Sequence, residues 1–321
     1  MAFGKGRSRS MIDAEFLHNP VDKDLFCHCP SIMETQSGTL IASWYVYPED
    51  EHSDAALVLA KKKHGRWSHS EFVLNSGKYS VGNPVLFQDP GGRIHLLYVV
   101  LKGHYWNDAY LHGVWSEDEG QTWSAPVQHW QKPGMMIRHP PVLLDSATYL
   151  LPAYDERSRQ SLLLSSDPPY SKWEETYRFS SPDIIQSTIV KSDSGKLYKF
   201  FRPTTDPRKI RLSHSTNQGK TWSSPQITPL PNPLSGISAF TANNNLVVIY
   251  NHTEEHQRWP LSASWSRDEG KTWEKVMHLD EVQFEVSYPS FILGNNNRVY
   301  GVYTYNRRMI KYVEFEKGSF I

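Results

Sequence analysis

Apolar residues run through this chain in short bursts, and the bursts come in pairs. SGTLIASWYV, GGRIHLLYVV, SATYLLPAYD, SGKLYKFFRP, NNNLVVIYNH and NNNRVYGVYT each open on a turn and continue as an apolar run of strand length. Each is preceded by another apolar run. These begin around Pro30, Pro84, Pro140, Ser187, Ser238 and Pro289, at steps of 54, 56, 47, 51 and 51 residues. Six pairs of inner strands, each feeding outer strands, predict six similar units. Such units stack radially as four-stranded blades around a channel, leaving only short, protected edges. The expected fold is all-β, a six-bladed β-propeller. Asn306 to Phe315 and the residues before Cys27 are expected to close the ring. Residues 1–321 read as a single propeller domain, with residues 1–15 a flexible tail.

A second periodicity runs out of phase with the first. The pattern Ser-x-Asp-x-Gly-x-Thr-Trp appears from Ser116 to Trp123, from Ser215 (with Asn217 for Asp) to Trp222, and from Ser266 to Trp273. The copies start 99 and 51 residues apart, so one is missing near residue 165, where Ser165-Ser166-Asp167 and Trp173 are a decayed version. A fainter trace runs from Ala60 to Trp67. The motif predicts a turn: Asp accepts hydrogen bonds from the turn backbone, Gly supplies a positive φ, and Trp packs the turn against its blade. It is structural and carries no chemistry.

Composition narrows the function. Lys+Arg and Asp+Glu both number 34, so no excess charge points to nucleic acid or to an anionic membrane surface. A charged ligand has to be met by a local cluster. Aromatic residues make up 13%, with 17 Tyr and 11 Trp, which suits strands. The two cysteines, Cys27 and Cys29, lie two apart on an expected strand, both on one face. That is a poor geometry for a disulfide between them, and a chain without a disulfide framework fits a reducing compartment or a core large enough to need none. A Cys-His-Cys metal set is disfavoured, because His28 would point away from the two thiols. No cofactor is implied. The N-terminal MAFGKGRSRS lacks the apolar core of a secretory signal, and no stretch reaches transmembrane length. The expectation is a soluble, cytoplasmic protein with no membrane partner. The sequence leaves the oligomeric state open.

Asp-type turns on a six-fold repeat resemble those of the sialidase (neuraminidase) superfamily. RHPPVLL, LPAYDE, LPNPLSG and SYPSFI are similar to its bacterial branch of predicted neuraminidases, or BNR-repeat proteins. The resemblance implies a site at the propeller axis, with three arginines on the substrate carboxylate. It also implies a Tyr nucleophile activated by a Glu, and an Asp acid/base on a blade-one loop. Carried over, it makes Tyr288 in SYPS the nucleophile and Arg202 and Arg258 two of the arginines. For the acid/base, the loop PEDEHSDAALVLAKK offers Asp50, Glu51 and Asp54, with Asp54 favoured because an apolar strand follows it. Two positions depart. His28 stands where the first arginine belongs, and Gln186 stands where the activating Glu belongs.

The residues themselves bear on this. An isolated Tyr has a pKa near ~10 and is a poor nucleophile without a base or nearby cations. Arg202 and Arg258 would favour its phenolate, and Arg138 in IRHP opens the third unit at the corresponding place, a further axial cation. Guanidiniums converging on one channel call for an anion, so an acidic sugar or glycan is the expected partner. Glu285 and the pair Asp155-Glu156 are spare carboxylates that could replace the missing Glu. Gln cannot take a proton. Three readings therefore stand open. One is a sialidase-like glycoside hydrolase. The second is a uronic-acid lyase, with His28 or Tyr288 taking a proton. The third is a glycan-binding propeller without turnover.

Overall fold

The computed structural model describes residues 12–17, 25–74, 77–274 and 276–320. Within these residues the strands fall into six antiparallel sheets of four or five strands, the blades of a propeller. Short 3-10 turns at Trp106–Asp108 and Lys317–Phe320 are the helical segments among the described residues.

The second strand of each blade shows why the apolar bursts are continuous rather than alternating. Leu40–Tyr47 and Ile94–Leu101 are buried at every position. An inner strand is covered on both faces by the neighbouring blades, so both sets of side chains need to be apolar. The core is accordingly divided into layers between blades. One layer joins Val85, Leu97, Val99 and Leu111 of blade two to Met135, Ile137, Leu151 and Leu162 of blade three. Strands nearer the rim alternate: Met309–Glu316 keeps Ile310, Tyr312 and Phe315 inside and Glu316 out.

The ring closes by joining the two ends of the chain. Blade six is built from Val286–Leu293, Arg298–Tyr305 and Met309–Glu316, and its outermost strand is Asp13–Leu17, paired antiparallel from Asp13↔Glu314 to Leu17↔Ile310. Residues 13–15, expected in a tail, are therefore part of the sheet. Backbone pairing to blade six and the burial of Leu17 hold them there. The rest of that expected tail, apart from Ile12, lies outside the described residues.

The Asp-type turns join third to fourth strands. In the first, Ser116 Oγ donates to Asp118 Oδ1 (2.7 Å) and accepts from the Gly120 amide (2.8 Å). Asp118 then takes the Thr122 amide on Oδ1 (2.8 Å) and the Thr122 hydroxyl on Oδ2 (2.6 Å). The turn at Ser266–Thr272 repeats this set. Gly120, Gly219 and Gly270 have φ of 75, 81 and 89°, as the motif requires.

Candidate active site

Ser238 opens its inner strand as expected and Pro140 lies between two short strands, but Pro30, Pro84, Ser187 and Pro289 lie inside the inner strands rather than at their starts. The strands begin earlier, at Phe26, Ser80, Ile184 and Val286. Each then breaks register at the same phase: between His28 and Ser31, Gly82 and Val85, Ile185 and Thr188, and Ser287 and Ser290. At each break one non-glycine residue adopts left-handed backbone: Cys29 (φ 56°), Asn83 (48°), Gln186 (45°) and Tyr288 (52°). A bulge of this kind re-aims a side chain out of the alternation. Here it turns Asn83, Gln186 and Tyr288 toward the axis, where they line a cavity of about 180 Å³. The same bulge separates the two cysteines. Cys27 packs into the layer with Ile32 and Tyr312, and Cys29 into the layer with Leu86 and Val81. They do not share a face, and the Cys-His-Cys set does not converge.

Five of the expected site residues line this cavity: His28, Gln186, Arg202, Arg258 and Tyr288. Arg202 is central. Its Nη1 donates to Gln186 Oε1 (2.6 Å) and to the Tyr288 hydroxyl (3.1 Å), while its Nε is buried without a partner. Gln186 passes the contact on, its Nε2 donating to the Tyr154 hydroxyl (3.2 Å). Arg258 lies 5.4 Å from the Tyr288 ring centre and donates to Glu285 (3.1 Å). Burial pushes the Tyr288 phenol up, but Arg202 and Arg258 together outweigh it and hold it below the ordinary tyrosine value. No carboxylate among the described residues bonds the Tyr288 hydroxyl, and Arg202 is its partner.

His28 meets Tyr288 edge-on at 4.3 Å and shares a hydrogen bond with Thr304 Oγ1 through Nδ1 (2.9 Å). Burial, and then Arg307, Arg258, Arg138 and Arg202, keep its pKa well below the usual value. It is a neutral imidazole and not a replacement cation. A further cavity arginine is one the sequence reading missed. Arg307, in the loop after the second strand of blade six, also lines the cavity. Its Nε donates to Glu285 (2.9 Å) and its Nη1 to Glu51 (3.1 Å) and to Tyr47 (3.3 Å). Arg307 stands outside the repeated phase, so no spacing marked it. Asn83, also not named from the sequence, sits at that phase just before Pro84, and that spacing is the signal that marks it.

Three expected residues do not line the cavity. Asp54 is exposed, in left-handed backbone (φ 54°) at the outer lip of its loop. The turn closed by the Ser53 amide on the Asp50 carbonyl (3.0 Å) directs Glu51 inward instead. There Glu51 accepts from the Tyr45 hydroxyl (2.8 Å) and from Arg307, and lines the cavity. Glu285 lies behind the wall, shared by Arg258, Arg307 and the Ser287 hydroxyl (2.6 Å). Burial would raise its pKa, but Arg307 and Arg258 hold it below the usual range. Arg138 lies under the floor. It reaches from blade three to blade six, and its Nη2 donates to the carbonyls of Tyr288 (2.7 Å) and Pro289 (2.9 Å). Its guanidinium is 5.6 Å from the Tyr288 ring centre. Arg138 therefore supports the Tyr288 bulge and does not face a ligand.

Larger depressions lie on the outer edge. One of about 700 Å³, bordered by Leu144 and by the turn from Thr216 to Lys220, collects no cluster of ionisable groups. No group of three or more His, Cys, Asp and Glu among the described residues is arranged to hold a metal ion. No described helix is long and apolar enough to cross a membrane.

Residues 38–300 match the model of the BNR repeat-like domain. The chain belongs to this family. No curated protein matches it in sequence. Among solved structures, a protein of unknown function from Dyadobacter fermentans superposes with a TM-score of 0.81 at 16% identity, over 96% of this chain and 98% of that one. The NanB sialidase of Streptococcus pneumoniae gives 0.79 at 12%, over 92% of this chain and 69% of that one. The intramolecular trans-sialidase of Ruminococcus gnavus, solved with oseltamivir carboxylate, gives 0.76 at 15%, over 91% and 94%. At such identities the likeness establishes the sialidase-type propeller fold. This BNR-repeat protein keeps arginines around an axial tyrosine, with a glutamine at the bulge of blade four and a histidine before that of blade one.

Proposed function

We propose that this protein is a sialidase-like glycoside hydrolase that takes the carboxylate of an acidic sugar at the propeller axis. The observation that carries the reading is Arg202. Its guanidinium lines the cavity with a buried, unpartnered Nε and no ion pair to a described carboxylate, which suits an incoming anion. Arg258 and Arg307 share Glu285, and Arg307 also meets Glu51, so their charges are balanced by the protein. Arg202 makes no such ion pair with a described residue. A planar carboxylate suits its fork. A cavity of about 180 Å³ admits a single sugar ring and suits action at a chain end. Tyr288 then attacks the anomeric carbon, its phenolate favoured by Arg202 and Arg258 in place of a glutamate base.

One observation favours a second reading. Because no described carboxylate bonds the Tyr288 hydroxyl, the phenolate is also suited to removing the proton next to a uronic-acid carboxylate, which is β-elimination. Turnover of a fluorogenic sialoside and of an unsubstituted uronic-acid oligosaccharide separates the two. Hydrolysis of the sialoside, lowered by roughly 10²-fold or more in kcat/KM by Arg202→Ala, supports the hydrolase. A new ultraviolet absorbance from an unsaturated uronide, without sialoside turnover, replaces it with the lyase. No reaction with either substrate leaves a glycan-binding propeller and sinks both enzymatic readings.

A further inference from the structure

Two carboxylates open into the axial cavity. Glu51 comes from blade one, and Glu156 from the turn that follows the second strand of blade three. They are not equivalent. Glu51 Oε2 accepts from the Tyr45 hydroxyl (2.8 Å) and from Arg307 Nη1 (3.1 Å). Glu51 is thus already tied to a guanidinium and a hydroxyl of the protein. Glu156 is anchored by its backbone, with its amide on the Gly134 carbonyl (2.8 Å). Its carboxylate makes no hydrogen bond or ion pair with any described residue and faces the cavity.

The charged neighbours of Glu156 on blade three are paired elsewhere. On its own blade, Asp155 pairs with Arg178 (3.4 Å) and Arg159 with Asp183 (3.4 Å). From blade four, Arg202 bonds Gln186 and Tyr288. Tyr154, from the same strand, accepts from Gln186 and feels the charges of both Glu156 and Tyr288. Glu156 and Tyr288 enter this one cavity from blades three and six, which are opposite one another in a six-bladed ring. In-line displacement needs attack from one side of the anomeric carbon and departure from the other.

We propose that Glu156 is the general acid/base of this site, donating a proton to the departing oxygen while Tyr288 attacks from the opposite wall. The assignment rests on the hydrolase reading above and adds a residue to it. In the first step the Tyr288 oxygen bonds to the anomeric carbon. The bond to the leaving oxygen breaks, and that oxygen takes its electron pair and the proton from Glu156. In the second step Glu156, now a carboxylate, removes a proton from water. The water oxygen bonds to the anomeric carbon, and Tyr288 departs as phenolate. Burial holds Glu156 above the usual carboxylate range, opposed by Arg202 and Arg159, which suits a group that must carry a proton to the reaction.

The test compares two glycosides of one acidic sugar, the first with an activated aryl leaving group and the second with a sugar. Glu156→Gln is expected to lower kcat/KM on the sugar glycoside by about 10²–10⁴-fold and on the aryl glycoside far less, since an aryl oxide leaves without a proton. Added azide should restore turnover of the aryl glycoside. The ionisation of Glu156 should vanish from the pH profile of kcat/KM, with the thermal midpoint unchanged. Equal loss on both substrates with no azide rescue, or no loss at all, would falsify the assignment and leave the hydrolase standing. Absence of wild-type turnover on either substrate overturns the hydrolase reading and this assignment together.

Discussion

At the scale of single residues, the molecule separates cations that meet a ligand from cations that do not. Arg202, Arg258 and Arg307 line the cavity, whereas Arg138 is spent on two carbonyls beneath it. Lys199 is the plainer case. It is fully buried between blades three and four, with its Nζ on the Leu162 carbonyl (3.1 Å) and 4.7 and 5.2 Å from the rings of Phe179 and Phe201. Burial alone depresses its pKa far below the ordinary lysine value. The unfolded chain therefore holds an extra proton, and stability rises with pH until the unfolded lysine titrates near ~10.4. Lys199→Met should stabilise the protein at neutral pH by roughly 1–3 kcal/mol and flatten this slope. Chemical denaturation at pH 7 and pH 9.5 reads both, and an unchanged slope in the variant would refute the argument. Tyr288, Arg202 and Arg258 were reached through the resemblance to the sialidase superfamily, whose site residues hold set places relative to the repeated strands and turns. Arg307 and the inward turn of Glu51 were not, because a loop's direction depends on partners from other blades, here Arg307 of blade six and Glu51 of blade one on each other.

At the scale of elements, two local devices recur, and they divide the work. The bulge before Pro30, Pro84, Ser187 and Pro289 aims side chains inward, while the Asp-type turn fastens third strands to fourth. Pairing of inner strands was legible from period and turn chemistry. The bulge was not, since it breaks the alternation from which strand faces are read, and the shared face expected for Cys27 and Cys29 failed for that reason. Blade four shows that the turn tolerates an uncharged residue. Asn217 Oδ1 takes the Thr221 amide (3.0 Å) and its Nδ2 reaches the Thr221 hydroxyl (2.8 Å). Asp118→Asn should therefore keep the thermal midpoint at neutral pH, and Asp118→Ala should lower it. In the matching turn the Thr272 hydroxyl and amide, with Ser266, hold Asp268 at about 2. A carboxylate depressed in this way contributes stability above the unfolded value near ~3.9, and loses it as pH falls through the folded one. The double variant Asp118→Asn, Asp268→Asn should accordingly lose less of its thermal midpoint than the wild type between pH 5 and pH 2.5. An equal loss would show that these turns do not contribute to acid unfolding.

At the scale of the whole molecule, ring closure rests on Asp13–Leu17. The strand adds five residue pairs to blade six, buries Leu17, and brings Glu15 to Lys62 of blade one (2.8 Å), which also meets Glu314 (3.4 Å). A propeller without its closing strand exposes an edge and loses a joint between blades. Removal of residues 1–17 should lower the thermal midpoint by ~5 °C or more and promote association, read by scanning calorimetry and light scattering. A midpoint within a degree of the full chain would show that the ring closes without it. The same strand sets an order in time. Its partners lie about 300 residues further along the chain. At ~5–20 residues per second, a ribosome needs tens of seconds to deliver them. Through that wait Asp13–Leu17 has no sheet to join, while blades one to five assemble in turn from their own hairpins. Blade six, which carries Tyr288 and Arg307, is the last to be made, so the nascent protein holds no formed cavity until its final strands emerge.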